Sequence, residues 1–385
     1  MNHSSTLTSK TAIIISMNAM IGAGIFAVPL ALQKSAGPIG LVTVLITALI
    51  VWCLACALGA IAEKNTHATS FYEYIKPWGG HVLASAVTVM HTTGMVIAMG
   101  LLTQELGYTL SELAPIFPAL AWSGICLAGI FLVILQGTAL STWGQYALIC
   151  CTIVPLCCIS ILCFWHASWS NIIPFAPHGI LPAIFASKII IFGYFGFECI
   201  SSLAPLLRHP ERDMPRILTI AIALVSLVYF LFISSFIFSI PHSVINQSPK
   251  TFIDALALTF PQHGWLLSMV NIGVISALTG TIHSMLWSLK AVISSLKNDF
   301  KPFPFRPASL LLYAIVCIFG MCVVINAPGT FFSLTALCVV PTYFVTVATI
   351  FVRPSQFNTT TKICGVVGWI AAIIITLSAL YTLIA

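Results

Sequence analysis

One carboxylate of this sequence lies within a long apolar segment. Glu198 belongs to the stretch IFASKIIIFGYFGFECISSL, in which the other charged residue is Lys188. Because an ionisable side chain is costly to place in hydrocarbon, its presence there by default marks a solute or proton pathway. The competing interpretation is a carboxylate that stabilises the amino end of a helix. The two are compatible, and we predict that Glu198 senses protons or gates a pathway.

Glycine pairs lie at the middle of two apolar segments. The first, IIISMNAMIGAGIFAVPLAL, contains Gly22 and Gly24, and the second contains Gly193 and Gly196. Two interpretations are open: small residues that let helices pack closely in lipid, or a break in each helix that exposes backbone groups to a ligand. The placement of the pairs in the chain, and Glu198 directly after the second pair, favour two broken helices.

Three further ionisable side chains lie inside apolar segments. His91 and His283 have imidazoles that titrate near neutrality, so each is either part of a gate or a hydrogen-bonded structural residue. Lys188 lies shortly before the second glycine pair. It either extends to the outer surface, pairs with a carboxylate, or sets a positive field that disfavours dibasic solutes.

The composition requires most of the chain to lie in a membrane. Of its 385 residues 59% are apolar and 6% are charged, and the mean hydropathy is +1.06. A helix crosses a bilayer with about 20 mainly apolar residues. We predict an all-α membrane protein, with residues 1–385 as one transmembrane domain and Pro215 at the first position of the seventh span. The eleven predicted spans are 11–33, 39–61, 81–104, 119–139, 145–165, 181–206, 216–240, 264–290, 308–326, 330–352 and 363–384.

Lysine and arginine are concentrated in alternate loops. Of the fifteen Lys and Arg residues, twelve fall in loops on one side of the predicted membrane domain. Lys34 and Lys250 fall on the other side, and Lys188 lies within a span. Since cytoplasmic loops retain positive charge, we expect a cytoplasmic amino terminus and, with eleven spans, an external carboxyl terminus. This topology accounts for the net charge of +6, so we expect lipid rather than nucleic acid as the large partner.

These motifs resemble those of the amino acid-polyamine-organocation superfamily of permeases. IGAGIF at 21–26 is similar to the G-S-G-I-F signature of the family's first span, with Ala23 in place of serine. FGYFGFE at 192–198 is similar to its sixth-span G-F-E, and HPERDMPR at 209–216 to the N-P-x-R-x-x-P-R loop that follows. The pattern of spans extends the resemblance over residues 10–352.

The resemblance implies a five-plus-five inverted repeat of the leucine-transporter type, with helices 1 and 6 broken. Residues 11–165 would form the first repeat, residues 181–352 the second, and residues 363–384 a peripheral helix. The expected function is secondary active transport of an amino acid or a related small amine across the inner (plasma) membrane, by alternating access. The substrate would lie midway across the bilayer, between spans one, three, six, eight and ten.

A broken helix offers backbone groups to both ends of an amino acid. Freed N–H groups at the start of the second half-helix suit a carboxylate, and carbonyls that end the preceding half-helices suit an ammonium group. The predicted substrate-binding residues are Ile21, Gly22, Ala23, Gly24, Ile25, Phe192, Gly193, Phe195 and Gly196. Family members use an aromatic lid at the position of Phe192, with plain packing as the alternative. The predicted proton-sensing or gating residues are Glu198, Phe192, Lys188, His91 and His283.

Coupling and substrate are left open by the sequence. It contains no metalloprotease helix and no nucleophile elbow, so we expect no enzyme activity, cofactor or metal centre. Symport with protons or sodium, strict exchange of amino acids or amines without ion coupling, and a solute sensor on a transporter scaffold are the alternatives. The charge of Lys188 favours a neutral or acidic amino acid over a dibasic one. The oligomeric state is not predicted.

Overall fold

The computed structural model describes residues 7–22, 24–65, 68–299, 307–325 and 328–384. Within these ranges the regular structure is helical, apart from a single bridge that pairs Leu7 with Leu207. The α-helices are α1 Ser9–Met20, α2 Gly24–Ser35, α3 Gly40–Lys64, α4 Phe71–Leu113, α5 Ala119–Leu135, α6 Thr138–Trp165, α7 Ile180–Ile191, α8 Pro210–Ser239, α9 His242–Asn246, α10 Phe252–Thr259, α11 Trp265–Asp299, α12 Pro307–Val324, α13 Pro328–Val352 and α14 Thr359–Ile384. Short 3-10 segments occur at Trp169–Ile172, Phe192–Tyr194, Phe197–Leu206 and Pro354–Gln356.

Seven described helices, α3, α4, α6, α8, α11, α13 and α14, are each long and apolar enough to cross a bilayer alone. The pair α1 and α2 meets the same test only when its two parts are taken together. Helices α5, α7 and α12 are apolar and shorter. The fold is therefore an all-α membrane fold with at least seven spans, and the total of eleven stays a prediction.

Local signals explain two helix beginnings. Glu73 accepts hydrogen bonds from the Ser70 N–H (2.8 Å) and the Thr69 N–H (3.1 Å), so a capping box starts α4. Helix α8 begins at Pro210, and Pro215 lies inside it. The prediction that Pro215 occupies the first position is wrong, because Pro210 already fits that position, where the missing N–H costs nothing.

The helices around the two glycine pairs pack against one another. Helix α1 contacts α6, α8, α11 and the 3-10 segment Phe197–Leu206. That segment also contacts α8 and α11, while α4 packs on α11 and α13. Helix α14 lies against α3 and α13. The two predicted breaks therefore meet in the interior of the bundle.

Candidate functional site

The first glycine pair coincides with a gap between two helices. Helix α1 ends at Met20, α2 begins at Gly24, and their axes meet at 50°. The first N–H groups of α2 have no carbonyl one turn earlier within their own helix, which is the usual condition of a helix start. Gly24 is exposed, and a Cβ added to it would meet no atom within 4 Å. The gap therefore combines polar backbone with open space.

The second glycine pair interrupts regular α-helix in a different way. Helix α7 ends at Ile191, and the chain continues in 3-10 geometry through Gly193. Gly196 has φ +100°, and a Cβ there would lie 2.5 Å from the Ala19 carbonyl oxygen. A Cβ on Gly193 would lie 2.6 Å from the Tyr229 ring. Both positions thus require glycine, one for its left-handed φ and both for the close approach of neighbours.

The hydroxyl of Tyr229 on α8 connects the two interruptions. It lies 3.0 Å from the Met20 carbonyl oxygen and 2.6 Å from the Gly193 carbonyl oxygen. Because the hydroxyl has one proton, the two acceptors share it. The carbonyl ends of both half-helices are therefore tied to one side chain on α8.

Glu198 is a buried carboxylate with partners from two segments. It is 5% exposed, and its Oε2 accepts a hydrogen bond from the Gly196 N–H at 3.1 Å. Its Oε1 lies 3.3 Å from His91 Nε2 on α4, and the Tyr343 hydroxyl of α13 adjoins the carboxylate. The carboxylate caps the Phe197–Leu206 segment and also meets a titratable group, so the two interpretations from the sequence apply to the same residue.

A small polar cavity adjoins this carboxylate. Its volume of about 30 Å³ is enough for about two water molecules, since each water molecule needs roughly 10–15 Å³. Its wall includes Thr69 and Ser70, which are half-buried, as well as the buried Glu198. The lining side chains are Thr69, Ser70, Phe71, Thr88, His91, Thr92, Met95, Glu198, Ser201, Ser202, Ser288 and Val292.

A second polar cluster joins α1, α6 and α11. Asn18 donates to the Gln145 carbonyl (2.8 Å) and to its side-chain oxygen, and Gln145 Nε2 donates to Ser284 Oγ at 2.9 Å. His283 Nδ1 lies 3.2 Å from Gln145 Nε2, while its Nε2 finds no hydrogen-bond partner among the described atoms. Thr281 donates to the Asn18 carbonyl at 2.8 Å. The imidazole of His283 therefore contacts neutral amides and hydroxyls.

An aromatic cluster lies beyond the first interruption. Phe26 contacts Phe232 at 5.7 Å between ring centroids and Phe252 at 6.2 Å, and Phe252 stacks on Phe236 at 5.1 Å. All four side chains are buried. Phe252 belongs to α10, whose first turn is capped by Asp254. This cluster packs the space beside α2 with apolar rings.

The structure brings together several of the predicted site residues. Ile21, Gly22, Ile25, Gly193, Gly196, Glu198 and His91 lie at or between the two interruptions. Phe195 packs away from this region, in an apolar pocket with Val340 and Ala372. His283 belongs to the Gln145 cluster. Ala23 and the side chains of Lys188 and Phe192 lie outside the described residues, so their roles stay predictions.

Sequence reasoning missed Tyr229, Asn18, Gln145 and Thr281. Each is a polar side chain inside an apolar span, and such residues commonly bond to their own helix, as Thr93 does to the Val89 carbonyl. The available signal was the amide of Asn18 four residues before Gly22, since an amide in hydrocarbon needs a partner.

Comparison with known proteins identifies the family. A family model described as amino acid permease matches residues 7–385. The chain belongs to the amino acid permease family. This confirms the resemblance that the two motifs indicated.

The similar curated proteins are distant. The chain is 22% identical to the vacuolar cationic amino acid transporter 8 of Arabidopsis thaliana, over 39% of its own length and 25% of that protein. It is 22% identical to the chloroplastic cationic amino acid transporter 9 of the same plant, over 70% of its own length and 51% of that protein. It is 23% identical to the methylthioribose transporter of Bacillus subtilis, over 76% of its own length and 67% of that protein. The chain thus spans about a quarter and about half of the two plant relatives.

A solved structure supports the fold class. The crystal structure of MhsT in complex with L-phenylalanine superposes with a TM-score of 0.73, over 99% of this chain and 100% of that one, at 12% identity. The leucine-transporter-type fold expected from the sequence is therefore confirmed as a class. Whether each interrupted helix forms one broken span stays a prediction.

Proposed function

We propose that this chain is a secondary active transporter of an amino acid or related small amine, working by alternating access across the inner (plasma) membrane. The observation that carries the proposal is the gap between α1 and α2, where a helix begins at Gly24 and a Cβ on that residue would meet no atom within 4 Å. A substrate carboxylate there accepts hydrogen bonds at the positive end of the helix dipole. Carbonyls near Ile21 and in the second interruption receive the ammonium group. Two relatives are named as transporters of cationic amino acids and of methylthioribose.

The distribution of carboxylates favours a neutral or acidic amino acid over a dibasic one. Among the eight carboxylate side chains that the structure describes, Glu198 is the buried one. Glu105 and Glu112 are exposed, and Asp254 caps α10. A second positive charge on a substrate would therefore have to compete with His91 and the Gly196 N–H for Glu198, and an unpaired buried charge is costly.

Counterflow in proteoliposomes tests both parts of the proposal. Purified protein is reconstituted with an unlabelled amino acid inside, and a panel of labelled amino acids is offered outside, with and without a pH gradient. We expect exchange of neutral or acidic amino acids to exceed that of arginine. Exchange of arginine far above the others would contradict the substrate class, and no flux of any amino acid or amine would contradict the transporter.

We further propose that Glu198 couples transport to protons. A buried carboxylate bonded to both a backbone amide and an imidazole has two protonation states that stabilise different local arrangements. Glu198→Gln removes the charge and retains the shape, so we expect the pH dependence of uptake to become flat. The matched control is Glu105→Gln, on an exposed face of α4, which should retain the wild-type pH profile. An unchanged profile in Glu198→Gln would remove Glu198 from the coupling mechanism.

A further inference from the structure

The polar cavity beside Glu198 is lined in part by the connection between α3 and α4. Its wall includes the buried carboxylate together with Thr69 and Ser70, which precede α4 in the connection that follows Lys64. Arg353 belongs to the same end of the bundle, since its guanidinium donates to the Pro77 carbonyl at 2.9 Å. We call this end the Lys64 side. Nine of the twelve lining residues carry polar side chains, which can supply the partners that cavity water needs, although most of the wall surface is apolar.

His91 lies between this cavity and the carboxylate. Its Nε2 is 3.3 Å from Glu198 Oε1, and its side chain, 13% exposed, is part of the cavity wall. The ring packs edge-on against Phe71, with centroids 4.7 Å apart, which fixes its orientation. An imidazole can accept a proton at one nitrogen and donate one from the other. The geometry is therefore that of a proton relay.

We propose that the cavity holds water and that His91 passes protons between this water and Glu198. One ring nitrogen takes a proton that a hydronium ion delivers through the cavity water, which leaves a neutral water molecule, while Nε2 gives its own proton to Glu198 Oε1. The imidazole is neutral before and after, in the other tautomer, and the carboxylate becomes a carboxylic acid. Reverse transfer restores both groups. Glu198 thus exchanges its proton with the Lys64 side, and this inference rests on the proposed function, in which Glu198 is the coupling carboxylate.

The other groups around Glu198 do not exchange protons readily near neutral pH. Tyrosine and cysteine ordinarily titrate well above pH 7, whereas histidine titrates close to it. On α11, Ser288 faces the cavity and receives a hydrogen bond from Ser202 at 2.8 Å. Glu73, in the first turn of α4, accepts a hydrogen bond from the Ser70 N–H. The titratable described groups next to Glu198 are His91 from α4, Tyr343 from α13 and Cys199 from its own segment, and Tyr74 of α4 lies beside Ser201.

The first test compares two histidine variants. His91→Gln retains a hydrogen-bond donor toward Glu198 and removes the ability to carry a proton. We expect proton-driven uptake to fall about tenfold or more, in keeping with the loss of a positioned proton-transfer group, while counterflow at fixed pH stays within about twofold. The double variant with Glu198→Gln should be no slower than Glu198→Gln alone. His178→Gln is the matched control, because that histidine is exposed in the segment before α7.

The second test does not depend on transport. Infrared difference spectra of the purified protein show the carboxyl band of protonated Glu198, identified by its loss in Glu198→Gln. We expect exchange of this proton for deuterium to slow at least about tenfold in His91→Gln. Thr88→Val, which removes from the cavity wall a hydroxyl that donates to the Ala84 carbonyl at 2.9 Å, should slow it as well. Thr88→Val serves as the test variant if His91→Gln does not fold.

The two tests separate the failures of the two proposals. If no amino acid is transported, the proposed function fails, and the deuterium exchange still reports on the relay. If uptake is proton-coupled but His91→Gln or Thr88→Val exchanges deuterium at the wild-type rate, the relay is overturned and the transporter stands. Wild-type pH dependence of uptake in His91→Gln would overturn the relay equally.

Discussion

The two helix interruptions differ in how tightly the surrounding protein holds them. At the first, a Cβ on Gly24 would meet no atom within 4 Å, and a Cβ on Gly22 would be 3.4 Å from Thr281 Oγ1, an ordinary contact. At the second, Cβ atoms on Gly193 and Gly196 would lie 2.6 and 2.5 Å from their nearest neighbours. The first interruption therefore has open space beside Gly24, whereas the second is closely packed around the backbone that precedes Glu198.

This difference indicates a division of labour. The first interruption offers helix-start N–H groups beside open space, which suits recognition of a small anion such as a carboxylate. The second interruption places a titratable carboxylate next to His91 and a polar cavity. Tyr229 joins the two through the Met20 and Gly193 carbonyls, so both interruptions share one hydrogen-bonding side chain on α8.

The largest effect on stability is expected at the packed interruption. Gly196→Ala places a Cβ against the Ala19 carbonyl at a backbone φ of +100°, so both strain and overlap oppose folding. We expect a loss of roughly 2–5 kcal/mol in the free energy of unfolding, combining the usual costs of backbone strain and overpacking. Thermal unfolding of the detergent-purified protein measures it. A melting temperature equal to that of wild type would show that the Phe197–Leu206 segment is not packed on α1.

The Tyr229 hydroxyl, which links the two interruptions, is expected to contribute less to the free energy of unfolding. Tyr229→Phe retains the ring beside Gly193 and removes the hydroxyl that two carbonyls share. Hydrogen bonds between membrane helices are worth about 0.6 kcal/mol on average and at most about 1.7, so we expect a loss in that range. Since the bond ties both half-helices to α8, the transport rate should change more than the melting temperature does. Unchanged counterflow kinetics would show that the two interruptions move independently of Tyr229.

The sequence predicts the helices better than it predicts their contacts. Long apolar runs indicate where helices lie, and some starts match closely: α3 begins at Gly40 against residue 39 and α5 at Ala119 against residue 119. Others do not, since α4 begins at Phe71 against residue 81 and α6 at Thr138 against residue 145. The length of an apolar run reports directly on membrane thickness, so this part of the fold is readable from one sequence. The start of α8 was misjudged because HPERDMPR contains two prolines, and either one fits a helix start.

Site partners are harder to predict because they are distant along the chain. His91 and Glu198 were each recognised as unusual, yet their pairing joins residues 107 positions apart. The same holds for Asn18 with Gln145 and for Thr281 with the Asn18 carbonyl. Composition and spacing show that a buried polar group needs a partner, and only the packing of α1, α4 and α11 shows which partner it has.

The smallest effect on stability and the sharpest effect on function are expected at Gly24. Gly24→Ala adds a methyl group where no atom lies within 4 Å, at the first position of a helix, so the free energy of unfolding should change by about 1 kcal/mol or less. If the substrate carboxylate occupies that space, the methyl group displaces it from the N–H groups of α2. We expect the half-saturating concentration in counterflow to rise about tenfold, the equivalent of one lost hydrogen bond to a charged group. If the Gly24→Ala protein folds like wild type and its affinity for substrate is unchanged, the substrate binds elsewhere. The open space at the first interruption would then be a feature of packing alone.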